Sequence, residues 1–333
     1  MSATLSRISN RLEIVTASQP ANAATFAEDV RFGLSTLPKK LSPKYFYDEL
    51  GSALFEAITR LPEYYLTSSE TEILREFGWE IVRLVRSPIE IMELGSGSAN
   101  KTRRLIEETL RVQPALRYCP IDISADAVRA SASALVDAYP RLTVRAYAAD
   151  YFSILGTTDL ELRHPVLALL LGSNVGNYEP HVMQRLFRAI GASLEGGDGL
   201  LVGADLRKDA ATLELAYDDP TGVTAAFNKN LLARLNRELG ANFDLRTFEH
   251  KAKYDEARGA VDSFLISQST QRVRIDNLGF DVNFEAGEPL HTESSYKFTT
   301  QELAESAQDA GFALARTWLD RKRYYSVNLF LKS

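Results

Sequence analysis

The sequence predicts an α/β fold, an open sheet of alternating strands and helices that is interrupted late in the chain by an inserted α+β segment. Three observations predict it. From Ile89 to Ala204, apolar runs of strand length alternate regularly with helical patterns. The first of those strands runs into Gly95-Ser-Gly97, where glycines let the backbone turn sharply and approach a ligand before a helix begins near Lys101. Between Asp205 and about Ser294 the alternation breaks, and only afterwards do a helix and a closing pair of strands return.

Composition narrows the class of partner. At 333 residues the chain exceeds a typical single domain, and a hydrophobic share of 45% supports a substantial core. A formal charge of −6 without a Lys/Arg run argues against nucleic acid, which needs a concentrated basic footprint, and favours a small-molecule substrate. Cys119 is single and sits in an apolar context, so it reads as a core residue. The four histidines, His164, His181, His250 and His291, are scattered, and no metal site is expected. No signal peptide and no run of membrane-spanning length is visible, so a cytoplasmic protein without membrane contact is expected, and a monomer.

In chain order, residues 1 to about 20 are rich in Ser, Ala and Asn and are expected to be loosely held. Phe26, Val30 and Phe32 suggest a short helix over Ala24–Gly33. Two aromatic-rich loops, Leu41–Gly51 and Leu61–Thr67, flank a helical stretch carrying Leu54, Phe55 and Ile58. Tyrosines near Pro and Gly suit a small-molecule pocket, although each singly is as well explained as a packing staple.

The first sheet strand covers Ile89 to Leu94. A helix from about Asn100 to Val112 follows, with Asn100 as its cap. Arg117–Ile123 forms the second strand and delivers Asp122 near its end. Ser124 or Asp126 opens a helix through Val136, and Leu142–Ala148 forms a third strand leading to Asp150 and Tyr151. The purely apolar Val166–Leu171 is a central strand. It ends in Gly172-Ser-Asn-Val-Gly-Asn-Tyr178, at the carboxyl edge where chemistry sits in such sheets, with Asn174 and Asn177 as neutral polar groups. A helix from His181 to Leu194 precedes a fifth strand, Leu200–Ala204. The excursion then holds helices at Leu213–Tyr217 and Leu231–Leu239 and strands at Ala260–Ser267, Gln271–Ile275 and Phe280–Phe284. A helix at Thr300–Ala310 and strands at Phe312–Leu319 and Tyr325–Leu331 close the chain. Five strands, a final helix and a closing hairpin match the Rossmann-like seven-stranded sheet of class I methyltransferases. The expected domains are residues 69–204 completed by 295–333, with 205–294 as an inserted substrate-binding cap that residues 20–68 join.

Acids stand at three successive strand ends. A phosphate at the glycine turn would be repelled by Glu93, whereas a cationic or hydroxyl-rich ligand would be held, which favours S-adenosylmethionine over NAD or ATP. Asp122 is spaced to accept from ribose hydroxyls, and Asp150 could take an adenine amino group with Tyr151 beside the ring.

Longer strings carry a more specific resemblance. Pro43-Lys-Tyr-Phe-Tyr-Asp48, Thr59-Arg-Leu-Pro-Glu-Tyr-Tyr65, Glu93-Leu-Gly-Ser-Gly97 with Lys101-Thr-Arg103, Gly172-Ser-Asn-Val-Gly-Asn177, Ala216-Tyr-Asp-Asp219 with Gly222–Asn228, and Thr292-Glu-Ser-Ser-Tyr-Lys-Phe298 occur in one order. With them the chain, from about Phe26 onward, resembles the histidine Nα-methyltransferases of ergothioneine biosynthesis. The resemblance implies that Gly95, Lys101, Asp122, Asp150 and Tyr151 bind S-adenosylmethionine, leaving S-adenosylhomocysteine. It implies that Tyr47, Tyr64, Gly172, Asn177, Tyr217, Glu293 and Ser295 surround histidine, whose trimethyl betaine is hercynine. Chemistry agrees: Asn177 can hold the amine without adding charge, Tyr47 and Tyr217 can donate to the carboxylate, and Tyr64 can contact the imidazole. Glu293 rewards a ring N–H over a plain phenyl, and Ser295 reaches the second nitrogen.

One position departs from the family pattern. Where a methionine packs the substrate ring, Ser263 stands here, or Phe264 fills the space if the register shifts by one. A more polar or roomier ring site leaves Nα-methylation of another aromatic amino acid such as tryptophan open, and a non-catalytic donor-binding regulator is the reading from a different class.

Overall fold

The computed structural model describes residues 3–17 and 22–333. The chain divides into two compact units, the first comprising Met1–Gln19, Ser69–Leu206 and Phe298–Ser333, the second Pro20–Ser68 and Arg207–Lys297.

In order, the elements begin with strands β1 (Ala3–Ser9) and β2 (Leu12–Ala17) and helices α1 (Asn22–Ser35), α2 (Glu49–Ile58) and α3 (Tyr65–Leu84). The alternating series follows: β3 (Glu90–Leu94), α4 (Thr102–Val112), β4 (Leu116–Asp122), α5 (Ala125–Ala138), β5 (Leu142–Ala148), the short α6 (Tyr151–Ile154), β6 (Val166–Leu170), α7 (Pro180–Ser193) and β7 (Gly199–Asp205). Next come α8 (Ala210–Tyr217), α9 (Val223–Leu239), β8 (Phe248–Asp255), β9 (Ala260–Ser267), β10 (Gln271–Ile275), β11 (Phe280–Phe284) and β12 (Pro289–Tyr296). The chain closes with α10 (Thr300–Gln308), β13 (Phe312–Leu319) and β14 (Tyr325–Lys332).

The first unit is built on one sheet of nine strands in the order β1-β2-β5-β4-β3-β6-β7-β14-β13. Seven of these, β5 to β13 in that order, are the expected sheet. The other two correct the expectation of a loose N-terminus: β1 and β2 form an antiparallel hairpin whose second strand pairs in parallel with β5, Leu12 opposite Val144 through Thr16 opposite Ala148. The alternation in Leu12, Ile14 and Thr16 was short and polar-flanked, but Leu12 and Ile14 are each 1% exposed against the sheet edge. Residues 1–2 and 18–21, also within that expectation, lie outside the described residues. β3, β6 and β7 are buried along their whole length, as central parallel strands covered on both faces should be.

Boundaries shifted where capping decided them. Asn100 does not cap α4; the cap position falls to Lys101, without a side-chain cap bond, and Asn100 is exposed. Ser124 does cap α5, accepting from the Ala127 N–H. α3 was not foreseen, because its start was read as an aromatic loop. α1 buries Phe26, Val30 and Leu34 at i, i+4 and i+8, whereas Phe32 is 66% exposed.

The second unit joins a three-stranded antiparallel sheet, β12-β9-β8, to the hairpin β10-β11 and to helices. β8 and β12 were missed by sequence reading, and α9 starts at Val223 rather than Leu231. Asp219 explains that start: its carboxylate accepts from the N–H groups of Val223 and Thr224 and from the Thr221 hydroxyl. These bonds hold its pKa down at about 2 against the cost of burial. Asp48 caps α2 through the Gly51 N–H and also accepts from Asn230 and Arg237 on α9, which ties the two helices together.

Candidate active site

In the first unit the polar groups at the strand ends hold one another. Gly95 has φ +74°, and a Cβ there would lie 2.5 Å from Tyr151 Oη and 2.6 Å from Asn174 Nδ2, so the turn admits only glycine. Gly97, at φ +47°, has nothing within 4 Å of a Cβ position, which leaves its backbone open to a ligand. Asp122 accepts from the Gly97 N–H at 3.0 Å and from the Ser124 N–H at 3.0 Å, which fixes the turn while its remaining lone pairs stay available. Asp150 is exposed at the cap position of α6 without a side-chain cap bond, and Tyr151 follows it, half-buried.

Glu93 departs from the ligand-facing role expected of it. It is 4% exposed and accepts from Thr102 Oγ1 at 2.6 Å and from the Tyr118 hydroxyl. Burial, only partly offset by these bonds, pushes its carboxyl up to about 7. It braces β3 against α4 and β4 from inside.

Lys101 pairs with Glu70 on α3, a fully buried carboxylate that also accepts the Gly172 N–H at 2.8 and 3.0 Å and the Tyr325 hydroxyl at 2.8 Å. Gly172, at φ +76°, would place a Cβ 3.1 Å from Lys101 Nζ. Glu70 therefore sets both Lys101 and the entry to the Asn174–Asn177 turn, in which Asn177 is exposed. Sequence reasoning missed Glu70, and no signal could have found it: its partners lie 31, 102 and 255 residues away.

In the second unit the expected residues fall on one sheet face and one aromatic cluster. Glu293 pairs directly with Ser263, and Ser295 with Val261, so these side chains share a face. That register places Ser263, 1% exposed, beside Glu293, and turns Phe264 to the opposite face, where its ring packs edge-on against His291 at 5.5 Å. Phe264 therefore does not fill the position. Glu293 is half-buried and has no hydrogen bond or ion pair among the described residues. Burial raises its pKa, opposed by the charge of Lys297.

Tyr217, on α8, lies 2.8 Å by its hydroxyl from Ser295 Oγ, and Tyr64 stacks edge-on against its ring at 6.1 Å. Tyr47, 44% exposed, packs edge-on against Phe55 and Phe227 at 5.6 and 5.8 Å. Lys297, also missed, donates to both Tyr217 Oη and Ser295 Oγ. Its signal was present, since Glu293, Ser295 and Lys297 follow the two-residue period of a strand.

Among open α/β sheets, an antiparallel strand wedged between the last two parallel ones marks a single class, and β14 pairs in that way with β7 and β13. The fold is that of a class I, S-adenosylmethionine-dependent methyltransferase. The family described as "Histidine-specific methyltransferase, SAM-dependent" matches residues 26–332, and the chain belongs to it. Over 310 residues it is 39% identical to the histidine N-alpha-methyltransferase of Mycolicibacterium smegmatis, covering 93% of this chain and 96% of that one. It is 39% identical over 314 residues to the protein of that name from Mycobacterium tuberculosis, covering 94% and 97%. Ergothioneine biosynthesis protein 1 of Schizosaccharomyces pombe is 28% identical over 302 residues, which span 88% of this chain and 39% of that protein. No helix of the described residues is long and apolar enough to cross a membrane, and no group of His, Cys, Asp and Glu among them could hold a metal ion.

Proposed function

We propose that the enzyme moves methyl groups from S-adenosylmethionine to the α-amine of histidine, repeatedly, to give the trimethyl betaine hercynine used for ergothioneine. The observation that carries this reading is Glu293. A carboxylate set on a buried strand face without a hydrogen bond, two residues before a buried hydroxyl, suits a ligand with a ring N–H beside a second ring nitrogen. Ser263 stands directly opposite and keeps that wall polar beside Glu293.

The residues of the first unit fit the donor. Gly97 offers open backbone, Asp122 spare acceptors for ribose hydroxyls, and Asp150 an exposed carboxylate for the adenine amino group with Tyr151 alongside. The sulfonium supplies an electrophilic methyl group, and the protein's part is positioning. Asn177 and the Gly172 turn would hold the neutral amine, with the Asn177 amide oxygen accepting from it so that its lone pair stays directed at the methyl carbon. Tyr47 and Tyr217 would donate to the carboxylate, and Tyr64 would lie against the ring. Incubation with each of the twenty amino acids and labelled donor tests the reading. Histidine should dominate, and equal labelling of tryptophan would overturn it.

A further inference from the structure

Lys297 is 1% exposed, among the largest fully buried side chains of the molecule. An ammonium taken out of water must be hydrogen-bonded or balanced by charge. Its Nζ donates to Tyr217 Oη at 2.7 Å and to Ser295 Oγ at 2.9 Å, and those oxygens are 2.8 Å apart, so the three groups form a triangle. Nζ also lies 4.4 Å from the centre of the Tyr217 ring. Its charge acts on Glu293, which lies on β12 four residues earlier in the chain, Lys297 following directly on the end of that strand.

The lone pairs of Ser295 limit what it can offer a ligand. A serine hydroxyl has two lone pairs and one proton. Lys297 takes one lone pair of Ser295, and in the arrangement in which the Tyr217 hydroxyl donates to Ser295 the other is filled as well. What Ser295 then offers a ligand is its proton. Glu293 beside it offers only lone pairs while it is ionised.

We propose that Lys297 is a positioning residue for ring recognition: its ammonium orients Ser295 as a donor to the bare ring nitrogen, beside Glu293 as the acceptor of the ring N–H. The proposal rests on the histidine reading above. Together the two side chains read a neutral imidazole as one donor and one acceptor. An indole has no bare nitrogen for Ser295, and a phenyl ring satisfies neither residue.

The test is a double-mutant cycle on the full-length enzyme with histidine and saturating donor. It compares wild type, Ser295→Ala, Lys297→Met, the double variant and Lys297→Arg, across the pH range in which imidazole and a raised carboxyl titrate. Lys297→Met should raise KM about 30-fold, as expected for a hydrogen bond to a charged group, while kcat changes far less. Because Lys297 acts through Ser295, adding Ser295→Ala to Lys297→Met should cost no more than about twofold further. The acid limb of kcat/KM should move to higher pH in Lys297→Met, since losing the nearby cation raises the Glu293 pKa further, and Lys297→Arg should restore the limb. Tyr217 on α8, His250 on β8 and His291 on β12 remain in every variant, so a shift between variants belongs to Lys297. Additive losses, or an unmoved acid limb, would overturn the proposal. If Lys297→Met does not fold, Lys297→Gln, which removes the ammonium but stays polar, takes its place in the cycle, where Ser295→Ala should cost less than in wild type and an equal cost overturns the proposal. A wild-type enzyme without preference for histidine overturns the histidine reading itself, whereas a histidine-selective enzyme with additive losses overturns only the role of Lys297.

Discussion

The two units carry their polar groups in opposite ways. At the strand ends of the first, nearly every charge is already spoken for: Glu93 by Thr102 and Tyr118, Glu70 by Lys101, Tyr325 and the Gly172 N–H, and one oxygen of Asp122 by Gly97. On the β9 and β12 face of the second, Glu293 stands without a hydrogen bond, and Ser263 offers a buried hydroxyl opposite it. The first is a backbone turn made rigid by its own side chains. The second holds polarity in reserve. Recognition of a donor shared by many reactions can be delegated to a turn, whereas choosing one acceptor needs side chains that only that acceptor satisfies.

Four substitutions sharpen or break this contrast. The largest effect should come from Gly95→Val, which puts a β-branched residue at φ +74° and drives its Cβ into Tyr151 and Asn174. Calorimetry should show donor affinity falling about 1,000-fold, the equivalent of roughly 4 kcal/mol. Next, Glu293→Ala should lower kcat/KM for histidine about 100-fold while leaving donor affinity intact. A variant still selective for histidine over phenylalanine would mean that the second unit does not choose the ring through this carboxylate. Third, Glu70→Gln leaves one oxygen to accept from the Gly172 N–H and the Tyr325 hydroxyl but turns an NH2 toward Lys101, so the charge and the Lys101 hydrogen bond are both lost. It should cost about 2 kcal/mol in denaturant unfolding and weaken donor binding about tenfold. The smallest effect belongs to Glu93→Gln, for which donor affinity should change less than about threefold because Glu93 braces the turn from inside. Its signature is in stability. The Glu93 carboxyl titrates near 7 in the folded chain, above its ordinary value, so the native state holds this proton longer than the unfolded one. Ionisation therefore erodes stability as pH rises from the ordinary carboxylate range to about 7. Thermal melts of Glu93→Gln should exceed wild type at pH values above that window and match it at acid pH. A variant less stable than wild type at alkaline pH would show that the ionised carboxylate is needed.

The contrast also governs what could be read from the sequence. The glycine turn, the strand-end acids and the alternation from Ile89 to Ala204 are local patterns, and the strands they mark were placed within a residue or two. The hairpin of β1 and β2 was missed because its reason to be ordered is a parallel partner, β5, more than a hundred residues away. Glu70 was missed for the same cause. β8 and β12 carry little apolar alternation, since each buries polar groups such as His250, Thr292 and Ser295 on a face that packing alone would have made apolar. Glu293 and Ser295 were reached through resemblance rather than pattern. The side of β9 on which Ser263 falls needed the register with β12, in which one extra residue between His291 and Glu293 shifts the pairing.

That the second unit is made of two stretches, Pro20–Ser68 and Arg207–Lys297, bears on how the chain is made. Emerging from the ribosome, its first segment must wait, partners unsynthesised, while the strands of the first unit are laid down in sequence. Asp48 finds Asn230 and Arg237 only after α9 has appeared. The central sheet is likewise left without β13 and β14 until the residues after the second unit's second stretch are added. Neither unit can finish before the other has been nearly written, so a chain stalled or cut within Arg207–Lys297 yields an unfinished sheet as well as an unfinished second unit. Synthesis thus favours whole molecules, in which the two units are completed together.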